Sequence, residues 1–279
     1  MRKPRKGHRF LLILLLLILI GLAIVYDSNT RLVTDEFTLG NASLPAVFEG
    51  FRVVQLSDLH TAVFGEGNRD LLDAVREARP DIIAITGDLL DDDTAEDYVR
   101  DLMAGLTAIA PVYYVTGNHE WASGWTKELF ALLAECGVTA LRNEYVVLDR
   151  GGEEIIRAGV DDPNGPYDQK TPEALVAEIR ADHPSDYILM LAHRDDELAM
   201  WARLDVDAVL CGHAHGGLVR LPFTDGLVAP GQGLFPTYTA GIYTEGHTQM
   251  LVSRGIGGTH GVPRIFNNPQ VVVAVLSRP

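Results

Sequence analysis

The chain has 279 residues and carries 38 acidic against 23 basic side chains, a formal net charge of −15 at pH 7. This balance argues against a nucleic acid as the preferred partner, because binding to a phosphate backbone relies on clustered Lys and Arg. The length suffices for one large domain or two small ones, and no repeat or low-complexity linker divides the chain.

The N-terminus predicts a membrane anchor. Residues 10–26 form an uncharged run rich in Leu and Ile, near the lower length limit for spanning a bilayer. Five basic residues precede the run: Arg2, Lys3, Arg5, Lys6 and Arg9. A cleaved signal peptide has the same basic flank, but no small-x-small cleavage site follows, so we favour an uncleaved anchor. The flank predicts a cytoplasmic N-terminus and an extracytoplasmic remainder; a domain facing the cytoplasm is the alternative.

The first half of the chain alternates short apolar runs with amphipathic stretches, which predicts alternating strands and helices. The predicted strands cover 32–39, 52–56, 82–86 and 112–115, and the predicted helices cover 67–79, 94–110 and 125–136. Two of the strands lead into similar turns, Thr86-Gly87-Asp88 and Thr116-Gly117-Asn118. Because a strand–helix–strand unit gives parallel strands, we expect Asp88 and Asn118 side by side at one sheet edge.

The acidic stretch of Asp91, Asp92 and Asp93 is interpreted as a solvated turn, with Asp93 or Thr94 as the N-cap of the next helix.

The second half of the chain predicts more strands. A hairpin is expected over 145–160, then a helix from Thr171 that ends before Pro184. The later strands are expected at 187–192, 207–211, 249–252 and 271–276. The first two of these lead into His193 and into a Gly-rich turn with His213 and His215.

Five apolar runs thus end in side chains of metal-binding type. These residues are Asp58 and His60, Asp88, Asn118 and His119, His193, and His213 and His215. Each alone is typical of a satisfied polar residue at a strand end, but five of the nine histidines occupy such positions, which favours one shared site. Oxygen and imidazole donors without thiolate suit Mn²⁺, Fe²⁺/Fe³⁺ or Zn²⁺ in a hydrolytic site. Without His119, the seven remaining residues exceed the ligand needs of one ion and suffice for two.

In sequence order, these residues resemble the motif set of the calcineurin-like metallophosphoesterases over residues 51–217. The motifs are Ser57-Asp58-Leu59-His60, Thr86-Gly87-Asp88, Gly117-Asn118-His119-Glu120, Ala192-His193 and Gly212-His213-Ala214-His215-Gly216-Gly217. The anchor and the segment 253–257 resemble a bacterial membrane-associated branch of that family. The chain departs from the branch at 194–196 and 267–270, which are not ligand positions.

The resemblance implies a four-layer α/β/β/α sandwich of two mixed sheets, preceded here by a transmembrane helix. We expect a basic flank and anchor over 1–27 and a short connection with a possible first strand over 28–50. Residues 51–279 are expected to form the metallophosphoesterase catalytic domain.

The resemblance also implies a phosphoester hydrolase with two divalent ions, in which a metal-bridging hydroxide attacks phosphorus. One ion is expected on Asp58, His60 and His215, the other on Asn118, His193 and His213, with Asp88 bridging the two. His119 is expected to stabilise the transition state or protonate the leaving group; a mere hydrogen bond that orients Asn118 is the alternative.

The substrate class stays open between a monoester, a diester and a pyrophosphate. Arg254 and Arg264 are candidates to clamp a second phosphate or are ordinary ion-paired arginines, and His247 and His260 are unassigned. Because the anchor keeps the domain near the bilayer, we expect a lipid-linked or envelope substrate, processed on the outer side of the cytoplasmic membrane. A non-catalytic metal-binding scaffold of the same fold is the second hypothesis.

Overall fold

The computed structural model describes residues 6–91, 95–259 and 261–278. It opens with a long helix, α1 (Lys6–Thr30), whose large apolar side chains from Phe10 to Leu22 are 43–69% exposed. At 1.5 Å per residue the helix is about 37 Å long, enough to cross a hydrocarbon core. A helix that is apolar on all sides and contacts no core suits lipid, so α1 suggests a membrane anchor.

Two six-stranded sheets form the folded part of the chain. The first contains, in spatial order, β1 (Val33–Gly40), β14 (Gln270–Ser277), β2 (Arg52–Leu56), β3 (Ile82–Thr86), β4 (Val112–Val115) and β5 (Thr139–Ala140). The second contains β12 (Gly241–Glu245), β13 (Thr248–Val252), β9 (Ala208–Cys211), β8 (Tyr187–Leu191), β7 (Glu153–Gly159) and β6 (Glu144–Arg150). A separate small hairpin joins β10 (Val228–Ala229) and β11 (Gly233–Leu234).

Both sheets are mixed. Strands β2 to β5 run parallel, as do β13, β9, β8 and β7, whereas β14–β2, β12–β13 and β6–β7 pair antiparallel. Because neighbouring parallel strands end at the same edge, the residues that follow β2, β3 and β4 meet there, and those that follow β8 and β9 do the same.

Helices cover the outer face of each sheet. The helices are α2 (Arg69–Glu77), α3 (Glu96–Thr107), α4 (Asn118–Ser123), α5 (Thr126–Glu135), α6 (Pro172–Asp182) and α7 (Leu198–Arg203). On β2, Val54 packs into the core with α2, α3 and α5, whereas Val53 faces the layer shared with Leu189 and Leu210 of the second sheet. The second sheet packs its other face on α6 and α7. The four-layer α/β/β/α sandwich predicted from the sequence is therefore confirmed.

The short elements were not predicted. Helices α4 and α7 have six residues each, and β10 to β12 lie in a Gly- and Pro-rich region without clear alternation. Elements this short provide too few residues for a periodic signal.

The end of α1 is hydrogen-bonded to the folded part of the chain. The Asn29 side chain donates to the Arg264 carbonyl at 2.9 Å and accepts from the Arg264 backbone N–H at 3.1 Å. The Ser28 hydroxyl accepts from the Phe266 N–H at 2.8 Å. Strand β1 starts at Val33 and pairs with β14, so the connection between helix and sheet is only a few residues long.

Candidate metal centre

The candidate site residues follow the strand ends, and many of them have an unusual backbone. Asp58, His60, Asp88, His213 and His215 all have φ between 45° and 64°. This left-handed region is uncommon for residues other than glycine and costs of order 1–3 kcal/mol each. Such strain persists only when the surroundings hold it, and it turns these side chains inward at the sheet edge.

Glycine allows the turn after β9 to approach the turn after β2. A Cβ on Gly212 would overlap the Ser57 hydroxyl and the Asp58 carboxylate. The Asp58 carboxylate accepts the His213 backbone N–H at 3.1 Å, which ties the two sheets together at the site.

The first cluster comprises Asp58, His60, Asp88 and His215. The His60 Nε2 lies 3.2 Å from the His215 Nε2 and 3.7 Å from the Asp88 Oδ2. The His215 Nε2 lies 3.4 Å from the Asp58 Oδ1. All four side chains are buried, and one ligand atom from each lies within 4.8 Å of the others, so they could hold a metal ion.

The second cluster comprises Asp88, His193 and His213. The His193 Nε2 lies 3.2 Å from both the Asp88 Oδ2 and the His213 Nδ1. The His193 Nδ1–H donates to the Thr86 carbonyl at 2.8 Å, so Nε2 is the ring nitrogen that faces the cluster.

Asp88 belongs to both clusters, because its Oδ2 faces His60 on one side and His193 on the other. Its Oδ1 accepts the His119 backbone N–H at 2.9 Å. Asn118 directly precedes His119, and its Oδ1 is buried without a hydrogen-bond partner in the described part of the chain. A buried acceptor costs free energy unless it is paired, so this oxygen fits a ligand for a cation.

The pKa shifts of His193, His213 and His215 differ in direction. Burial, with the nearby charges of His193 and Arg194, lowers the pKa of His213 to about 3. Burial and Arg264 likewise lower the pKa of His215. For His193 burial acts in the same direction, but the Asp88 charge outweighs it and the pKa is raised to about 10. The negative charge of Asp88 therefore favours a positive charge in the second cluster.

A sequence model of the calcineurin-like phosphoesterase family matches residues 51–217, which is more than half of the chain. The chain belongs to this family. It is thus a metallophosphoesterase, a metal-dependent phosphoric ester hydrolase of a family that uses two metal ions.

Curated relatives agree with this assignment. The chain is 30% identical over 251 residues to the uncharacterized metallophosphoesterase YkuE of Bacillus subtilis, covering 87% of this chain and 85% of that protein. It is 28% identical over 233 residues to the phosphodiesterase YaeI of Escherichia coli, covering 81% and 82%. A transmembrane protein with metallophosphoesterase domain from Danio rerio is 29% identical, but this chain spans only 55% of it.

A solved structure supports the fold alone. The NAD nucleotidase of Haemophilus influenzae superposes with a TM-score of 0.53 at 15% identity, over 75% of this metallophosphoesterase and 45% of that chain.

His119 lies beside His60 of the first cluster and is partly exposed to solvent. Its ring stacks edge-on against His60 at 4.7 Å, and its side chain is 34% exposed. The hydrogen bond from its Nδ1 to the Asp91 Oδ1, at 3.1 Å, raises the pKa of His119, against an opposing effect of burial.

The interpretation of Asp91 as part of a solvated turn was wrong. Its side chain is 17% exposed and accepts from the His60 Nδ1 at 2.6 Å as well as from His119. Burial raises the pKa of Asp91, but these two hydrogen bonds outweigh it and the net shift is downward. Residues 92–94, with the predicted helix cap, lie outside the described residues. No sequence spacing separates Asp91 from its two acidic neighbours, since all three follow the strand in one run.

Glu120 was overlooked as a supporting residue. Its buried carboxylate accepts backbone N–H groups of Gly117 at 2.6 Å, Asp88 at 3.0 Å and Leu89 at 2.7 Å. Burial and the nearby Asp88 charge raise its pKa to about 7, against these hydrogen bonds. Glu120 joins the turns after β3 and β4, so it fixes where Asp88 and Asn118 lie. The available signal was a Glu at the third helical position, a residue type whose carboxylate commonly accepts the N-cap backbone N–H, as Glu120 does from Gly117.

Arg254 and Arg264, to which the sequence assigned no definite role, both contact other protein groups. Arg264 is buried and donates to the carbonyls of Gly257 and Arg254, with its Nη2 3.5 Å from the His215 Nδ1. Arg254 pairs with Asp35 at 2.7 Å.

The sequence left two histidines unassigned, His247 and His260. His247 is paired with Asp205 at 3.4 Å, away from both clusters, and His260 lies outside the described residues.

One further basic residue contacts the second cluster. Arg194, where the chain departs from its branch, donates to the His213 Nε2 at 2.8 Å and pairs with Asp162 at 2.6 Å. Arg194 and His193 line a cleft of 390 Å³ with Tyr167 and Trp201.

Proposed function

We propose that the chain is a binuclear phosphoesterase whose two ions share Asp88. In this assignment Asp58, His60 and His215 hold one ion, and Asn118, His193 and His213 hold the other. The observation that carries the proposal is the Asp88 carboxylate, whose Oδ2 faces both clusters. The unpartnered Asn118 oxygen supports it, because an amide oxygen with no donor suits a cation.

The residues present fit the two ions. Imidazole nitrogen and carboxylate oxygen without thiolate suit Mn²⁺, Fe or Zn²⁺. When bound, the ions would neutralise the phosphate oxygens and acidify a water for attack on phosphorus. The protein orients the ligands by outer hydrogen bonds, from His193 to Thr86 and from His60 to Asp91.

His119 is the proposed acid for the leaving oxygen. Its Nδ1 is held by Asp91, so the proton on its Nε2 is left for the substrate side. A raised pKa keeps the imidazolium populated near neutral pH, which a general acid requires.

The substrate proposed is a phosphoester held in the membrane or envelope. Similarity to a protein named as a phosphodiesterase favours a diester. The direct hydrogen bonding of the α1 end to the folded part leaves little reach into solution, which disfavours a soluble nucleotide as the dedicated substrate.

A generic phosphodiester assay tests this function. The full chain in detergent, loaded with Mn²⁺, should hydrolyse bis(4-nitrophenyl) phosphate and lose that activity with a chelator. The Asp88→Asn variant is the matched control for trace contaminating phosphatase. Stoichiometric metal binding without hydrolysis of any monoester, diester or pyrophosphate would favour the non-catalytic scaffold instead.

We further propose that α1 stays attached and that the catalytic part lies outside the cytoplasm. Protease added to spheroplasts should digest the domain while cytoplasmic markers stay intact. Protection until the membrane is permeabilised would reverse the orientation. A released protein with a new N-terminus after Ala23 or later would show a cleaved signal.

A further inference from the structure

Exposed apolar side chains outside α1 concentrate around the end of that helix and beside the metal centre. Eight large ones, exposed by 37–106%, are Val63, Leu221, Phe223, Val228, Leu234, Phe235, Val262 and Phe266. We call these eight residues the apolar rim. Among the described residues outside α1, only Val47, Val147 and Tyr167 are other exposed large apolar side chains. Scattered single residues are ordinary on a protein surface, whereas a contiguous group marks an interaction site.

The rim is connected to the base of the anchor. Phe266 binds the Ser28 hydroxyl of α1 through its backbone N–H. Next to it, the Ile265 carbonyl accepts the Arg220 N–H at 2.9 Å, which brings the loop of Leu221 and Phe223 beside the docking segment. On the other side, Val63 lines the same cleft as Asn29.

The rim also borders the metal centre. A Cβ placed on Gly231 would lie 3.6 Å from the His213 Nε2, so this loop passes directly beside the second cluster. Leu234 and Phe235 follow three and four residues later, with exposures of 73% and 78%. Four residues span at most about 14 Å, so these side chains lie close to the site.

We propose that the apolar rim inserts into the surface of the bilayer that α1 enters, and that the metal centre therefore acts on a phosphate at the lipid headgroup level. This proposal rests on α1 as an anchor and gives the proposed function its substrate class, an amphiphile presented by the membrane. The continuity of the rim with the end of α1 favours lipid over a protein partner.

The charge on the rim determines which lipids it needs. Arg220, at its edge, is paired with Asp225 at 3.3 Å, and the chain as a whole is acidic. Insertion driven by apolar burial does not require anionic lipid and resists screening by salt, unlike binding through a polybasic patch.

Lipid quenching of a fluorescent label tests the proposal. In a Cys136→Ser background, Phe235→Cys and Phe223→Cys would carry an environment-sensitive dye on the full chain in phosphatidylcholine vesicles. Cys211 is fully buried and does not compete for label. Val47→Cys, at an exposed position beside the β6–β7 turn at the sheet edge opposite the metal centre, is the matched control. Brominated phosphatidylcholine should quench the two rim positions severalfold more than position 47, and raised salt should leave the difference intact.

Equal quenching at 47 and 235 would overturn the proposal. A blue-shifted dye at 235 that brominated lipid does not quench, together with disulfide cross-links between chains of the unlabelled Phe235→Cys variant, would assign the rim to a second copy of this chain and also overturn the proposal.

The quenching measurement is independent of catalysis. If the rim inserts but the protein hydrolyses none of the substrates, the insertion proposal holds and the proposed phosphoesterase function fails. If the protein hydrolyses bis(4-nitrophenyl) phosphate but the rim does not insert, the proposed function holds and the insertion proposal fails. The double variant Phe223→Ser and Phe235→Ser should keep turnover of that soluble diester, because neither residue is assigned to the site.

Discussion

The two clusters share Asp88 but are supported in different ways. In the first, His60 contacts the Asp91 carboxylate and His215 contacts the buried Arg264, whose backbone binds the end of α1. In the second, Arg194 backs His213, and its side chain is 23% exposed on a cleft. The difference indicates that the first cluster depends on the segment that also holds the end of α1, whereas the second depends on a side chain that lines a cleft. Substituting each supporting residue in turn tests whether the two clusters depend on different supports.

Removing the Asp88 carboxylate should affect both clusters alike and should lower turnover more than any other change. Asp88→Asn keeps the shape but loses the charge that faces both clusters, so turnover should fall by about 10³-fold or more. Metal content should fall in both clusters together. Elemental analysis beside the diester assay measures both, and loss of only one ion would mean that Asp88 does not bridge.

Removing the acid should leave both clusters intact. His119→Ala is expected to lower turnover by about 10²- to 10⁴-fold, the usual contribution of a general acid, while both ions are kept. A metal-free His119→Ala protein would show that the residue supports ligands rather than chemistry. Substrates with a more acidic leaving group should recover part of the lost rate.

Breaking the buried support should weaken the first cluster specifically. Arg264→Met leaves the carbonyls of Gly257 and Arg254 buried without their donor, so unfolding should occur about 5–10 °C lower. The first ion should be lost more readily than the second in a stepwise metal titration. Arg194→Met is the matched change at the other cluster and should leave affinity for the first ion unchanged; the same loss from both variants would contradict the comparison.

The smallest expected effect is a shift in the pH dependence of kcat. The hydrogen bond to Asp91 raises the pKa of His119, so the acid form persists to higher pH than a free imidazole. Replacing the carboxylate by an amide removes that stabilisation of the imidazolium. In Asp91→Asn the alkaline limb of kcat should move to lower pH, because His119 loses its proton sooner. An unchanged limb would assign that ionisation to another group.

Much of the molecule could be predicted from local pattern. Buried parallel strands read as continuous apolar runs, such as 82–85 and 187–191, and each must end at the sheet edge where its next polar residue lies. That geometric necessity is why eight residues scattered from 58 to 215 could be grouped from the amino-acid sequence alone.

The supports of the site could not be predicted. Asp91 and Arg264 carry no spacing signal, because their partners are 31 and 49 residues away along the chain. Which member of an acidic run turns inward, and which arginine is buried, depends on how the two sheets and the end of α1 pack together.

The sequence by itself determined the strand ends, the donor types and the apolar run at the N-terminus, since these follow from residue periodicity and side-chain chemistry. Only the tertiary structure decided that Asp88 faces both clusters, that Asp91 holds His60 and His119, and that α1 ends on the segment carrying Arg264. Those outcomes depend on contacts between distant segments, and the free energy of such contacts is set by burial and packing that no local stretch of sequence contains.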